Sequence, residues 1–222
     1  MNWMKKVAVA LVCLLPLGLQ AAKVDTLQVK SPSMNKSIEV VVVSPDMAAT
    51  EACPVIYLLH GYGGNARTWV GIKPDLPKIA DEKGIFFVCP DGKNTWYWDS
   101  PLNADVRYET FISDELVKYV DSHYKTVADR KGRAITGLSM GGHGAMWNGL
   151  RHSDVFSAAG STSGGVDIRP FPKNWEMSVQ IGEKAKYPEN WEKYTVINLV
   201  PTLRKDQIAL IFDCGDSDSF WR

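Results

Sequence analysis

The segment of residues 137–141 (GLSMG) has the residue types and spacing that covalent chemistry requires. It follows an apolar run that ends at Thr136, which we predict to be a strand, and it precedes a helix-like run that begins at Met140. A serine on such a turn exposes its hydroxyl, and the helix N-terminus stabilises negative charge that develops beside it. Small neighbours are needed because the flanking elements leave little room. The pattern predicts Ser139 as a nucleophile, and a plain glycine-rich turn is the alternative.

A second glycine-rich segment, residues 59–64 (LHGYGG), directly follows another apolar run. Loops at the carboxyl ends of parallel strands converge, so we expect this loop to lie beside Ser139. The backbone N–H groups of Tyr62 and Met140 would then form an oxyanion hole for a tetrahedral intermediate. A phosphate-binding loop is the alternative, but the lysine and the hydroxyl residue of a P-loop are absent.

The chain has four histidines, and a serine nucleophile needs a base. His60 ends a predicted strand just before the oxyanion loop, so we predict that it braces this loop; a role as the catalytic base is the alternative. For His123, His143 and His152 we predict capping or packing roles. We find no pair of histidines or carboxylates at metal-ligand spacing, so we predict no metal and no cofactor.

The 222 residues, 45% of them hydrophobic, are enough for the core of one sizeable domain. The formal net charge is zero, so no broad basic surface would attract nucleic acid. The N-terminal residues 1–22 have two lysines, an apolar stretch and small residues for cleavage, which predicts a signal peptide. We therefore expect export to the periplasm or the medium and no membrane association after cleavage; an uncleaved anchor is the alternative.

Short apolar runs alternate with helical segments along the remainder of the chain. We predict two antiparallel entry strands at residues 26–30 and 37–43, and buried strands at 55–59, 85–89, 133–136, 156–160 and 207–212. The clearest amphipathic helix covers residues 108–123. This order predicts an α/β fold with a mostly parallel sheet and helices on both faces. Residues 164–194 show no helical or strand periodicity, so we predict that they form a small cap or a long loop.

Several segments together resemble the esterase D family of α/β-hydrolases, which includes S-formylglutathione hydrolases, feruloyl and acetyl xylan esterases and mycolyltransferase-like proteins. The resemblance extends from about residue 30 to the last residue. The matching segments are residues 59–64 with Trp69 downstream, 90–92 (PDG), 96–101 (WYWDSP), 137–142 (GLSMGG) and 213–215 (DCG).

The resemblance implies a role for each matching residue. Ser139 would be the nucleophile, Tyr62 and Met140 the oxyanion donors, and Asp218 the acid that orients a histidine. Asp216 is the neighbouring alternative, and a loop-capping role for both aspartates is a further one. In this family the catalytic histidine follows the acid, yet no histidine follows His152 in this chain.

We therefore expect residues 23–222 to be an esterase domain that is truncated at its C-terminus, with a final strand and helix missing. A natural truncation is the alternative. Without its base the chain as given is expected to be inactive. We also expect one sheet edge to be open and to expose apolar side chains.

The leading functional hypothesis is an exported serine carboxylesterase that acts on acetyl, feruloyl or other short acyl esters of carbohydrates. Trp96 and Trp98 would stack on a sugar or phenolic ring; ordinary aromatic packing is the alternative. Thioester hydrolysis, as in S-formylglutathione hydrolases, and acyl transfer are competing enzymatic hypotheses. A non-catalytic carbohydrate-binding module is the hypothesis from another class. The oligomeric state stays open.

Overall fold

A seven-stranded sheet organises the computed structural model, which describes residues 22–218. The strands are β1 (Lys23–Ser31), β2 (Lys36–Ser44), β3 (Val55–Leu59), β4 (Phe86–Pro90), β5 (Arg133–Gly137), β6 (Ala158–Thr162) and β7 (Ala209–Asp213). Their order across the sheet is β1-β2-β4-β3-β5-β6-β7. β2 pairs antiparallel with β1 and β4, and all other neighbours are parallel. The predicted antiparallel entry and mostly parallel sheet are confirmed.

Helices connect the strands. They are α1 (Thr68–Ile72), α2 (Leu76–Lys83), α3 (Tyr108–Thr110), α4 (Leu116–His123), α5 (Met140–Arg151), α6 (Met177–Ile181) and α7 (Pro188–Lys193). A π-helical turn, Phe111–Glu115, joins α3 to α4, and 3-10 turns lie at Asp46–Ala49, Arg130–Gly132 and Val196–Thr202. The helix predicted over residues 108–123 is therefore confirmed, with a π turn in its middle, and the helix predicted to begin at Met140 begins there.

Both faces of the sheet are covered, and the alternation of side chains along each strand makes this possible. In β2, Val40 and Val42 pack into an apolar cluster with residues of α4 and α5. Val41 and Val43 point the other way and pack with Leu76 and other residues of α2. The central strands are buried on both sides for this reason, as their uninterrupted apolar runs predicted.

The non-periodic segment of residues 164–194 packs into the main core. Met177 and Ile181 of α6 and Trp191 of α7 are all fully buried in the same cluster as α5. The Gln180 carbonyl accepts a hydrogen bond of 2.6 Å from the hydroxyl of Ser100, in the loop after β4. The segment therefore consists of loops and short helices that pack against the main core.

The predicted signal peptide, residues 1–22, lies outside the described residues except for Ala22. Across residues 22–218, none of the helices combines the length and the apolar character that a membrane crossing requires.

β7 lies at one edge of the described sheet and carries exposed apolar side chains. Ile211 and Phe212 are 75% and 77% exposed. The sequence predicted apolar exposure at one sheet edge, and β7 shows it. Exposed apolar strands of this kind favour association with other chains.

The backbone at the N-terminal end of α5 is in direct contact with the backbone at the carboxyl end of β3. A Cβ atom on Gly141 would lie 2.2 Å from the carbonyl oxygen of Leu59 and 2.6 Å from that of His60. A Cβ atom on Gly137 would lie 2.3 Å from the backbone of Gly141. Since backbone cannot yield as a flexible side chain does, both positions require glycine, as the sequence pattern predicted.

Gly141→Ala therefore tests this contact. We expect the variant to lose about 3 kcal/mol or more of its free energy of unfolding, because the added methyl group must push α5 away from β3. Denaturant unfolding followed by circular dichroism measures the loss. The matched control is Gly71→Ala in α1, where nothing lies within 4 Å of the added atom; it should be neutral or stabilising. Equal stabilities of the two variants would contradict the account.

Candidate active site

Ser139 has the backbone geometry of a nucleophile elbow. It stands between β5 and α5 with φ 53° and ψ −117°, a strained conformation for a residue with a side chain. Its backbone N–H donates to the Thr162 carbonyl at 2.9 Å, and its own carbonyl accepts from the His143 N–H at 3.0 Å. The side chain is exposed. The turn therefore presents a hydroxyl at the N-terminus of α5, as predicted.

The oxyanion loop lies directly beside this turn. β3 and β5 are neighbours with Leu59 opposite Gly137, so the two loops leave the sheet together. A Cβ atom on Gly61 would lie 3.6 Å from the Cβ atom of Ser139. This proximity confirms the expectation that both loops converge at the carboxyl edge of the sheet.

Two backbone donors at this place have no acceptor. The N–H groups of Tyr62 and Met140 form no hydrogen bond with any residue of the described part of the chain. Unpaired donors beside a nucleophile are what an oxyanion hole requires, because the acceptor develops only during the reaction. The structure thus brings Tyr62 and Met140 to the same edge of the sheet as Ser139, and their role as oxyanion donors stays a prediction.

His60 braces the oxyanion loop. Its ring is fully buried, and its Nδ1 donates to the Gly61 carbonyl at 2.8 Å. Its Nε2 accepts from the backbone N–H of Gly92 at 2.9 Å. Both ring nitrogens have backbone partners, so this imidazole joins two loops, and the bracing role is the one that the contacts support.

His143 is a buried packing residue. Its Nδ1 donates to the Gly165 carbonyl at 2.7 Å, and its Nε2 accepts from the indole N–H of Trp98 at 2.9 Å. Burial lowers the pKa of His143 to about 4, because the imidazolium form has no water to stabilise it. The imidazole is therefore neutral and engaged at both nitrogens.

The two remaining histidines lie on helix ends, as expected. His152 donates from Nε2 to the Glu109 carboxylate at 2.8 Å, and the His123 ring donates from Nδ1 to the Tyr119 carbonyl at 2.8 Å and stacks on the Tyr119 ring. Every histidine of the chain thus has a structural partner other than Ser139.

The expectation that Trp96 and Trp98 stack on a substrate ring is corrected by their burial. Trp98 is fully buried, and Trp96 is 4% exposed. The two rings stack on each other with centroids 5.6 Å apart, and both meet the edge of His143. Each ring already packs against the other and against His143, so these tryptophans pack in the core behind the Ser139 turn.

Asp218 follows β7 at the same edge of the sheet, on the far side of β6 from the elbow. It is partly exposed, its backbone N–H donates to the Gly215 carbonyl at 3.1 Å, and its carboxylate lies 3.9 Å from the thiol of Cys214. The alternative acid, Asp216, is exposed and accepts from Ser217. The structure gives Asp218 the more sheltered position of the two.

Two polar residues that the sequence analysis missed connect to the oxyanion loop. The amide oxygen of Asn94 accepts from the Gly63 N–H at 2.9 Å, and the amide nitrogen donates to the Glu176 carboxylate at 3.3 Å. Partial desolvation and a hydrogen bond with Glu176 raise the pKa of the Tyr62 hydroxyl. No local pattern could have revealed this, since Glu176 lies 82 residues from Asn94 in the sequence.

The described residues include no group of three histidine, cysteine or carboxylate side chains that could hold a metal ion. The chemistry that their arrangement supports is nucleophilic attack by a serine on a carbonyl, next to a pair of backbone donors.

The sequence model of the Esterase family matches residues 31–222. Among curated relatives, an esterase of Mycobacterium tuberculosis is 30% identical over 149 residues. That match covers 64% of this chain but only 32% of the relative, so the chain spans about a third of the relative's length.

Two solved structures show the same fold. A ferulic acid esterase is 29% identical, with a TM-score of 0.71 over 88% of this chain and 80% of that chain. An S-formylglutathione hydrolase from Agrobacterium tumefaciens is 23% identical, with a TM-score of 0.75 over 91% of this chain and 78% of that chain. The predicted α/β-hydrolase fold and the predicted resemblance to this group of esterases are confirmed.

The buried, neutral state of His143 has a consequence for stability. The folded protein holds the pKa near 4, whereas the unfolded chain takes up the proton near the ordinary value of 6.5. The stabilising contribution is complete above pH 6.5 and is lost as the pH falls towards 4. At pH 5 the loss amounts to about 2 kcal/mol.

We therefore expect the free energy of unfolding to fall between pH 7 and pH 5 more steeply in the wild type than in His143→Gln, by about this amount. Urea unfolding at both pH values measures the two slopes. The slopes are compared, not the absolute stabilities, because the substitution also changes packing. Identical slopes would show that His143 is not held in the neutral form.

Proposed function

Because the chain belongs to the Esterase family, we propose that it is a serine hydrolase that cleaves carboxylic esters through an acyl-enzyme at Ser139. The observation that carries the proposal is the left-handed Ser139 on its strand-to-helix turn, beside the unpaired N–H groups of Tyr62 and Met140.

In the proposed reaction the Ser139 hydroxyl attacks the ester carbonyl carbon and passes its proton to a base. The carbonyl oxygen becomes an oxyanion that accepts hydrogen bonds from the Tyr62 and Met140 N–H groups. Collapse of this intermediate expels the alcohol, which takes a proton from the same base. Water then attacks the acyl-enzyme by the same route and releases the acid.

The base is the part of this scheme that the four histidines of the chain do not supply, since each is engaged elsewhere. Activity should therefore be measured on the protein translated from the complete reading frame, and also on the 222-residue chain where the two differ. Asp218 is the proposed acid that orients the base.

Esters of short acyl groups or ferulate on carbohydrates are the proposed substrates, and the proposed location is the periplasm or the medium. The similarity to a ferulic acid esterase and the signal-like residues 1–22 support this choice. Thioester hydrolysis is the second candidate, since the chain also resembles an S-formylglutathione hydrolase. Rates with methyl ferulate, an acetylated xylo-oligosaccharide and S-formylglutathione separate the two.

In the protein from the complete reading frame, Ser139→Ala should abolish hydrolysis of p-nitrophenyl acetate, with a loss of about 10⁶-fold in kcat, because nothing else in the turn replaces the hydroxyl. Ser122→Ala, at an exposed serine of α4, is the control and should keep full activity. Persistent hydrolysis by the Ser139→Ala protein would refute the proposal. A folded wild-type protein that binds carbohydrate but hydrolyses none of the esters would favour a non-catalytic binding module.

Asp218→Asn should lower kcat by about 10⁴-fold in the protein from the complete reading frame, because an amide stabilises neither the orientation nor the positive charge of a histidine. Asp216→Asn is the matched variant two residues away and should change kcat by only a few-fold. Steady-state kinetics with p-nitrophenyl acetate measures both. The reverse order of effects would assign the acid to Asp216.

A further inference from the structure

The oxyanion loop is tied to the segment of residues 164–194 by a short chain of hydrogen bonds. Gly63 follows the proposed donor Tyr62 directly, and its N–H donates to the Asn94 side chain at 2.9 Å. Asn94 donates in turn to the Glu176 carboxylate at 3.3 Å. One amide and one carboxylate thus link the loop tip to this segment.

Glu176 stands on strained backbone, and Asn94 lies between the strained residues Lys93 and Trp96. Trp96 and Tyr97, just after Asn94, have φ of 59°, and Trp175 and Glu176 have φ of 49° and 53°. Consecutive left-handed residues with large side chains are rare, and such strain persists only where the surroundings enforce it. The Trp96 indole N–H donates to the Trp175 carbonyl at 3.1 Å, which ties the two strained pairs together.

The tip of the oxyanion loop is closed by a turn hydrogen bond from the Gly64 N–H to the Gly61 carbonyl at 3.0 Å, but it has little packing. Tyr62 is 38% exposed, and Gly63 has a φ of 76° with nothing within 4 Å of a Cβ atom built on it. Packing therefore cannot fix the direction of the Tyr62 N–H, and hydrogen bonds must do so. Beside the turn bond, Asn94 supplies the side-chain hydrogen bond that reaches the tip, and Glu176 accepts from Asn94.

We propose that Asn94 and Glu176 are positioning residues that fix the Tyr62 N–H in the direction of the oxyanion and so couple the 164–194 segment to catalysis. This inference rests on the proposed function. Neither residue touches the reacting atoms. Their effect is on the transition state, where the oxyanion exists, and not on the ground-state binding of the ester.

The experiment measures kcat and KM for p-nitrophenyl acetate, and the second-order rate of labelling by a fluorophosphonate probe, in the protein from the complete reading frame. Asn94→Ala removes both bonds of the amide. We expect kcat and the labelling rate to fall about 10- to 100-fold with KM within about two-fold of the wild type, since small errors of alignment have effects of this size. Asn174→Ala, on the same segment, is the control and should match the wild type.

Exchanging the amide and the carboxylate between residues 94 and 176 distinguishes a positioning role from a general loss of structure. Asn94→Asp alone places two carboxylates together and should lower kcat as Asn94→Ala does. The double variant Asn94→Asp/Glu176→Gln keeps the net charge, leaves an oxygen at residue 94 for the Gly63 N–H, and reverses the donor and acceptor between the two side chains. We expect it to recover most of the wild-type kcat.

Three results would refute either this inference or the proposed function. An Asn94→Ala protein that keeps kcat and labelling within two-fold, while Ser139→Ala abolishes both, would overturn this inference and leave the proposed function intact. Turnover and labelling that do not require Ser139 would instead refute the proposed function. A double variant that regains the wild-type melting temperature without regaining kcat would also overturn the inference.

Discussion

The backbone contact between the start of α5 and the end of β3 is the constraint on which the site depends. Gly141 approaches the Leu59 and His60 carbonyls more closely than any side chain would permit. This approach holds Ser139 in its left-handed conformation and brings the Met140 N–H to the oxyanion loop. Without it, the helix N-terminus would stand away from the nucleophile, and its dipole and free N–H groups would not act on the developing charge.

Around this contact, buried polar groups hold the loops at fixed distances. His60 joins the loop after β3 to the loop after β4, and His143 joins α5 to Trp98 and to the Gly165 carbonyl. The His143 imidazole stays uncharged, because burial lowers its pKa to about 4. Two of the four histidines therefore hold loops in place beside Ser139.

The sequence predicted the parts of this site that are built from local patterns. Apolar runs flanked by glycine located β3 and β5, and their loops could be placed together because parallel strands end at one edge. Residues 164–194 could not be predicted in this way, because their order comes from tertiary packing around Trp191 and not from a helical or strand period. The burial of Trp98 could not be predicted either, because aromatic residues in loops occur both at binding surfaces and in cores. The pairing of Asn94 with Glu176 depends on two loops that meet only in the folded chain.

The most direct test of the central claim, that the elbow makes Ser139 a nucleophile, is the site and stoichiometry of covalent labelling. The protein from the complete reading frame is treated with a fluorophosphonate, digested, and mapped by mass spectrometry. The account predicts one label per chain, on the peptide that contains Ser139. Labelling at another serine, or none on a folded protein, would contradict it.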